Sequence, residues 1–470
     1  MRKSCLALLA TALAACGGPA PVGTAITNVT VIDAANGVRE HRTVVFDGDR
    51  ITAVLDADAA AAVEETIDGG GGYLIPGLWD MHVHLTYDDR FTADMPRLFL
   101  SWGITSVRDT GGLMHKMLPV VEAMRAADAL APRVFFAGPL LDGDFVVYDG
   151  IARPEIGARH ATPEDARAMI AELDAQGVDF VKIYEMVSPD VFEAMVGAAN
   201  ASGLPIDSHV PLSMRASTAG PSVDSIEHLR NIELDCASNA PALHETRLER
   251  LKNPDGLSGY ALRSSLHSLQ RLPAIADYDE ARCDRTLAAL RSTMQVPTLR
   301  LGGLSLVRPY ERDDWQEALA RLPLAAREEW ARAGRDNDGE SNDTRFAEWA
   351  LFLTGRAHAA GVPIGAGTDT PIGLSVPGYS LHSELEMLVR AGLSPLEAIR
   401  SATLRPAEFF SLQDEMGTIE VGRKADLVLL EADPLEDIAN TRHIALVVTK
   451  GRVLDRDTLE ALSRPEASAQ

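Results

Sequence analysis

Four histidines, a lysine and an aspartate fall along this 470-residue chain in an order that reads as one metal site. They are His82 and His84 in WDMHVHL, Lys182 in DFVKIYE, His209 in IDSHVP, His228 in SIEHL and Asp369 in GAGTDT. Each lies at or near the end of a short run rich in Val and Ile, the pattern of a buried parallel strand. Neutral imidazoles and a carboxylate are the donors that a borderline divalent ion such as zinc prefers. A site gathered from the ends of several strands is how a (β/α)8 barrel assembles its chemistry. These residue types point to metal-dependent hydrolysis.

His82 and His84 are two apart on a strand, so both face the same way. Lys182, between outward-facing Val181 and Ile183, is a buried amine that must be paired or neutralised. Two resolutions stand open: an ion pair with an inward carboxylate, or reaction with carbon dioxide to a carbamate that bridges two cations. The surrounding histidines and aspartate favour the second. His209 and His228 end consecutive strands and suggest the ligand pair of a second ion. Asp369 can both bind metal and take the proton of an attacking water. Tyr184, on the face of Lys182, either donates to a developing oxyanion or packs at the rim. Arg108, beside Asp109, either grips a substrate carboxylate or forms an internal ion pair. The other eight histidines lack this strand-end setting and read as surface or packing residues, His382 being the least settled.

The elements that must position these residues are legible as patterns. Between residues 76 and 412 strands alternate with amphipathic stretches, giving eight candidate strands: GLWDMHVHL, GITSVRDT, PRVFFAG, DFVKIYE, PIDSHV, SIEHL, MQVPTL and PIGAGTDT. That predicts an α/β TIM barrel. Residues 26–75 and 413–457 carry hairpin texture, with turns at Asp47-Gly48 and Lys450-Gly451, and predict one small β-sandwich built from both chain ends. Residues 458–470 read as a C-terminal tail. A long insertion between the sixth and seventh strands contains Cys236 and Cys283, which an oxidising compartment allows to bond or leaves as two buried thiols. A second insertion includes the polar run GRDNDGESND, which lacks EF-hand ligand spacing and reads as a solvated loop.

The balance of 44 Lys plus Arg against 68 Asp plus Glu, a net charge of -24, argues against nucleic acid and anionic lipid as partners. It says little about the substrate and reads as a solvated acidic surface; the partners expected are a small-molecule substrate and a second copy of the chain in a homo-oligomer. Arg2 and Lys3, then the short apolar stretch Leu6 to Ala15, form an export signal too short to span a bilayer. Leu13-Ala14-Ala15-Cys16 resembles a bacterial lipobox. The resemblance implies a signal peptide at 1–16, lipidation of Cys16, and a tether at 17–25. Membrane contact would then be through this anchor alone, in the bacterial cell envelope, facing the periplasm or cell exterior.

Taken in order, LIPGLWDMHVHL, VKIY, SHVP, IEHL, GTDT, SATLRPAE and GTIEVGRKADLVLLEADPLEDI resemble the amidohydrolase superfamily, in its imidazolonepropionase-like and prolidase-like branch. The resemblance covers nearly all of the mature chain. It implies two divalent ions, zinc being the expected metal: His82, His84 and Asp369 hold one, His209 and His228 the other. A CO2-derived carbamate on Lys182 and a hydroxide bridge them. The implied reaction is C–N cleavage of a small amide, such as a dipeptide or N-acyl amino acid. A cyclic amide or lactone hydrolase and a catalytically silent surface binding protein are the alternatives. Dipeptidase-like relatives often carry Gly-His after the third strand. Here GPLLDGDFVVYDG has no histidine, which loosens the dipeptide expectation.

Overall fold

The computed structural model describes residues 22–57, 63–151, 153–308, 311–336 and 343–465. The signal peptide with Cys16, most of the tether and most of GRDNDGESND lie outside the described residues.

Both chain ends build one sheet. The N-terminal side contributes β1 (Thr24–Asp33), β2 (Gly37–Asp47), β3 (Arg50–Asp56), β4 (Glu65–Asp68) and β5 (Tyr73–Pro76). Thr24 and Ala25, assigned to the tether from sequence, open the first of these strands. Asp47 pairs with Arg50 across a two-residue turn, as the Asp-Gly signal predicts.

From β5 the chain enters the barrel through β6 (Leu78–Val83), β7 (Ile104–Asp109) and β8 (Arg133–Phe136). A short excursion, β9 (Leu140–Asp142) and β10 (Gly157–Arg159), precedes β11 (Val181–Ile183), β12 (Ile206–Ser208), β13 (Ser225–Glu227) and β14 (Met294–Val296). Neighbouring barrel strands pair in parallel. The Asp179 N–H donates to Phe136 O at 2.9 Å and joins the two arcs. The eighth strand is held by parallel bridges, Ile364 to Gln295 and Thr370 to Val83, which close the ring. Seven of the eight predicted strands form as strands, and the eighth is present only as these two bridges. Gly367 is needed at the closure: a Cβ there would lie 2.8 Å from His82 Cβ and 3.0 Å from its backbone nitrogen.

The chain returns to the sheet through β15 (Leu427–Leu430), β16 (Ile444–Thr449) and β17 (Arg452–Leu454). β15 pairs with β5, so the two ends share an edge. Ile26, Val44 and Phe46 pack with Leu427, Leu429 and Val448 in one apolar cluster. The last turn, with Lys450 and Gly451 both at positive φ, is the kind a two-residue hairpin favours. Arg456–Ser463 then forms a helix rather than the tail expected from sequence; Asp455 caps it and Leu459 anchors it.

An aromatic floor closes the N-terminal end of the barrel. Trp79, Phe180 and Phe409 share a buried cluster there, with Phe135 and Phe410 packed against it. The insertion after β13 folds into helices at Ile232–Asp235, Ala240–Leu251, Gly259–Ala276 and Glu280–Ala289. A disulfide joins Cys236 to Cys283, with Cα atoms 4.1 Å apart. Leu262 and Leu266 of the third helix are buried against Tyr184 and Met186, seating the insertion at the barrel mouth. Burial of each such leucine stabilises by about 1.5–3 kcal/mol. Among the described residues no helix is long and apolar enough to cross a membrane.

Candidate metal centre

The strand ends bring all six predicted residues to one cavity of about 290 Å³, where they meet Leu140, Tyr148, Ile156, Tyr184 and Arg230. His82, His84 and Asp369 form the tightest group: both Nε2 atoms stand 3.2 Å from Asp369 Oδ1. The His82 ring lies 4.8 Å from that of His228, which lies 4.9 Å from that of His209. His228 and Asp369 take left-handed backbone conformations, at φ 59° and 60°. Such strain in non-glycine residues gathers at functional sites. Backbone bonds hold it here, His228 N–H to Val296 O and Asp369 N–H to His82 O, each 2.8 Å.

Every imidazole has its Nδ1 engaged. His82 Nδ1 meets Glu227 Oε2 at 2.5 Å, His84 Nδ1 meets Gly111 O at 3.0 Å, and His209 Nδ1 meets Glu185 Oε1 at 2.6 Å. His228 Nδ1 lies 2.5 Å from Thr298 Oγ1, whose own proton goes to Pro297 O at 2.8 Å, so the threonine oxygen accepts. Each network therefore places a proton on Nδ1 and leaves Nε2 as the free donor atom. Tying one ring nitrogen in this way orients metal-binding histidines and sets their tautomer.

The electrostatics fit a cation. Burial, assisted by Lys182 for His209 and by Arg230 for His228, pushes both imidazoles well below their ordinary pKa and keeps them neutral. Burial also acts against a charged His82, but Glu227 and Asp369 on either side outweigh it and raise its pKa to about 9. The site demands positive charge between these carboxylates, and a proton or a metal ion can supply it. Burial opposes the charge on Asp369, yet His82 and His84 hold its pKa well below the carboxylate range.

Lys182 Nζ is 2.7 Å from Asp207 Oδ2, the ion-pair arrangement, with its side chain 1% exposed. The register sets this contact: Lys182 and Asp207 are direct partners on adjacent parallel strands. Ser225, opposite Asp207 on β13, donates its hydroxyl to the other oxygen at 2.8 Å. Tyr184 lines the cavity, its ring 4.5 Å from that of His209. Burial lifts its pKa well above the ordinary phenol value, so the hydroxyl keeps its proton for donation.

Of the two sequence readings of Arg108, the structure has the internal ion pair and not the substrate-facing position: the residue is fully buried and is not among those lining the cavity. Its guanidinium meets Glu227 Oε1 at 2.5 Å, donates to Ser225 Oγ at 2.9 Å and lies over the Phe409 ring at 4.7 Å. His382 is a buried structural residue between Thr441 Oγ1 (2.9 Å) and Trp102 O (3.0 Å). Sequence reasoning missed Glu185, Thr298, Arg230, Arg263 and His267. Glu185 follows Tyr184 and so points off the lysine face, where the insertion supplies Arg263 Nη2 at 2.9 Å and His267 Nε2 at 2.8 Å. No local pattern identifies partners that an insertion delivers from 78 and 82 residues away. Tyr148, within the stretch noted for its missing histidine, supplies an aromatic wall instead.

Comparison with known proteins agrees with this architecture. The amidohydrolase family pattern matches residues 354–454. An imidazolonepropionase of Geobacillus sp. (strain WCH70) is 26% identical over 243 residues, covering 47% of this chain and 56% of the relative's length. One from Rubrobacter xylanophilus is 25% identical over 431 residues, covering 87% of this chain and 90% of that one. The solved structure of a candidate prolidase from Bifidobacterium longum superposes with a TM-score of 0.64 at 25% identity, covering 94% of this chain and 98% of the other. These likenesses support the amidohydrolase superfamily, in its imidazolonepropionase-like and prolidase-like branch, as the family this chain resembles.

Proposed function

We propose that this protein is a binuclear metal-dependent hydrolase that cleaves the C–N amide bond of a small substrate, a dipeptide, N-acyl amino acid or related amide. The observation that carries the reading is the set of four histidines, each with Nδ1 bonded, gathered with Asp369 and Lys182 around one cavity. His82, His84 and Asp369 would hold one divalent cation and His209 and His228 a second, with Lys182 as a carbamate between them; zinc suits these donors. Bound there, the cations supply acidification of a water and polarisation of the scissile carbonyl.

The protein's own groups do the rest. Asp369, held ionised, accepts the proton of the attacking water and hands it to the departing nitrogen, which cannot leave as an anion at neutral pH. Tyr184 donates a hydrogen bond to the oxygen on which charge develops. The insertion shields the cavity from bulk water and strengthens these interactions. Export and lipid anchoring through Cys16 belong to the same proposal and rest on the lipobox-like Leu13-Ala14-Ala15-Cys16.

The test pairs elemental analysis with kinetics on matched amides and lactones. The expected result is close to two divalent ions per chain, preference for the amides, and loss of nearly all turnover in Asp369→Asn. Lactones turned over far faster than every amide would replace the amide assignment with lactone hydrolysis.

A further inference from the structure

One wall of the metal cavity carries more positive charge than the structure neutralises. Arg230 and Arg263 both approach Glu185, a single fully buried carboxylate. Arg263 Nη2 and His209 Nδ1 already donate to Glu185 Oε1, at 2.9 and 2.6 Å. Arg230 Nε stands 3.7 Å from that oxygen, is buried, and has no hydrogen-bond partner among the described residues. Its Nη1 meets the His267 Nδ1 at 3.3 Å. One guanidinium of the two is thus left without a full countercharge, and Arg230 is the one that lines the cavity. A planar fork of N–H donors in such a place matches a carboxylate.

The rest of the lining has a different character. Leu140 and Ile156 are apolar, and three tyrosines form a ladder leading to the histidines: Tyr87 to Tyr148 at 6.2 Å, Tyr148 to Tyr184 at 5.8 Å, Tyr184 to His209 at 4.5 Å, between ring centroids. A substrate with a carboxylate on its leaving half and a flat or branched apolar acyl half satisfies both.

We infer that Arg230 is the carboxylate-binding, specificity-determining residue of this site, and that the substrates are N-acyl amino acids with an aromatic or branched apolar acyl group. The inference rests on the hydrolase reading above and deepens it. Arg230 contributes binding that is equal in ground and transition states, so its loss falls on KM rather than kcat.

The test compares N-benzoyl-phenylalanine with its neutral C-terminal carboxamide in metal-loaded wild-type protein, Arg230→Met and Arg230→Lys. Binding of N-benzenesulfonyl-phenylalanine and its carboxamide, which the enzyme cannot hydrolyse, is measured in parallel by calorimetry. Arg230→Met is expected to lower kcat/KM for the acid by about 10- to 100-fold through KM, the loss of one charged hydrogen-bonding partner. The carboxamide should change by less than about 3-fold, since it makes no ion pair. Arg230→Lys should fall between, keeping charge without the fork. Tyr148→Ala should erase the preference for benzoyl over acetyl substrates. An equal effect of Arg230→Met on acid and carboxamide, or no preference for the acid in the wild-type protein, overturns the assignment. If the wild-type protein hydrolyses neither compound yet binds the sulfonamide acid through Arg230, the hydrolase reading fails and the carboxylate site stands.

Discussion

Replacing Glu227 by Gln removes one negative charge and little else, and the structure dictates where the consequences appear. Glu227 is fully buried, with Oε2 2.5 Å from His82 Nδ1 and Oε1 2.5 Å from Arg108 Nη2. Burial opposes its ionisation, but His82 and Arg108 win and lower its pKa to about 2. In Glu227→Gln the buried Arg108 keeps its hydrogen bonds to Met81 O and Ser225 Oγ, but its nearest remaining carboxylate among the described residues is Asp207, at 3.8 Å. Breaking a buried pair on one side costs about 3–5 kcal/mol, and the low end applies because Gln keeps a hydrogen-bonding oxygen. Metal affinity should fall by about 10- to 100-fold at high pH, the usual effect of losing a carboxylate behind a histidine ligand. At pH 7 the two proteins should converge. In the wild-type protein His82 titrates near 9, so a proton competes for its Nε2 and weakens binding on the order of 100-fold at pH 7. Without Glu227 that pKa drops and the competition fades. The stability sign follows the same logic. A His82 pKa raised on folding stabilises the metal-free protein below the unfolded value near 6.5, and this contribution disappears as pH rises through about 9. Competition with a chromophoric chelator from pH 6.5 to 9.5, beside urea unfolding of the metal-free proteins, reads both effects. Affinity profiles that run parallel, with one constant offset across that range, would refute the reasoning.

Lys182→Ala should abolish turnover and reduce bound metal towards one ion per chain, with partial recovery on adding a short carboxylic acid; full occupancy and activity would exclude a bridging role. The Cys236–Cys283 bond closes a separation of 47 residues, so its loss should destabilise by about 4 kcal/mol in the chain-entropy model. Urea unfolding of Cys236→Ser/Cys283→Ser checks this, and alkylation of both thiols without reductant would show that no bond forms. Arg108→Met leaves buried Glu227 with only His82 and buried Asp207 with only Lys182 as charge partners and should lower stability by about 3 kcal/mol, the low end for a buried pair broken on one side, while leaving the acid-to-carboxamide selectivity of the enzyme unchanged. Cys16→Ser should release the full-length protein from membranes or leave an unprocessed precursor, as fractionation and N-terminal mass determination would show.

Much of the barrel and the identities of its site residues were legible in the sequence, because both depend on short-range order. A strand declares itself in a few residues, and its C-terminal end is where a barrel places chemistry. His82, His84, Lys182, His209, His228 and Asp369 could therefore be placed without knowing any contact among them. The terminal sheet was legible for the same reason, through alternation and two Gly-containing turns. What only the tertiary structure decided is which buried charges neutralise one another. Alternation says that Arg108 and Lys182 face inwards, but not at what depth. Register between strands settles that: it sets Lys182 level with Asp207 and Asp207 level with Ser225. Arg108 meets Glu227 below the cavity, 119 residues away in the chain. The insertion was visible only as an excess of length. Its folding brings Arg263 and His267 to Glu185, and this leaves Arg230 to share that one carboxylate, at 3.7 Å. Such pairings depend on distances of a few ångströms between distant segments, whereas periodicity along the chain records only the direction in which each side chain departs.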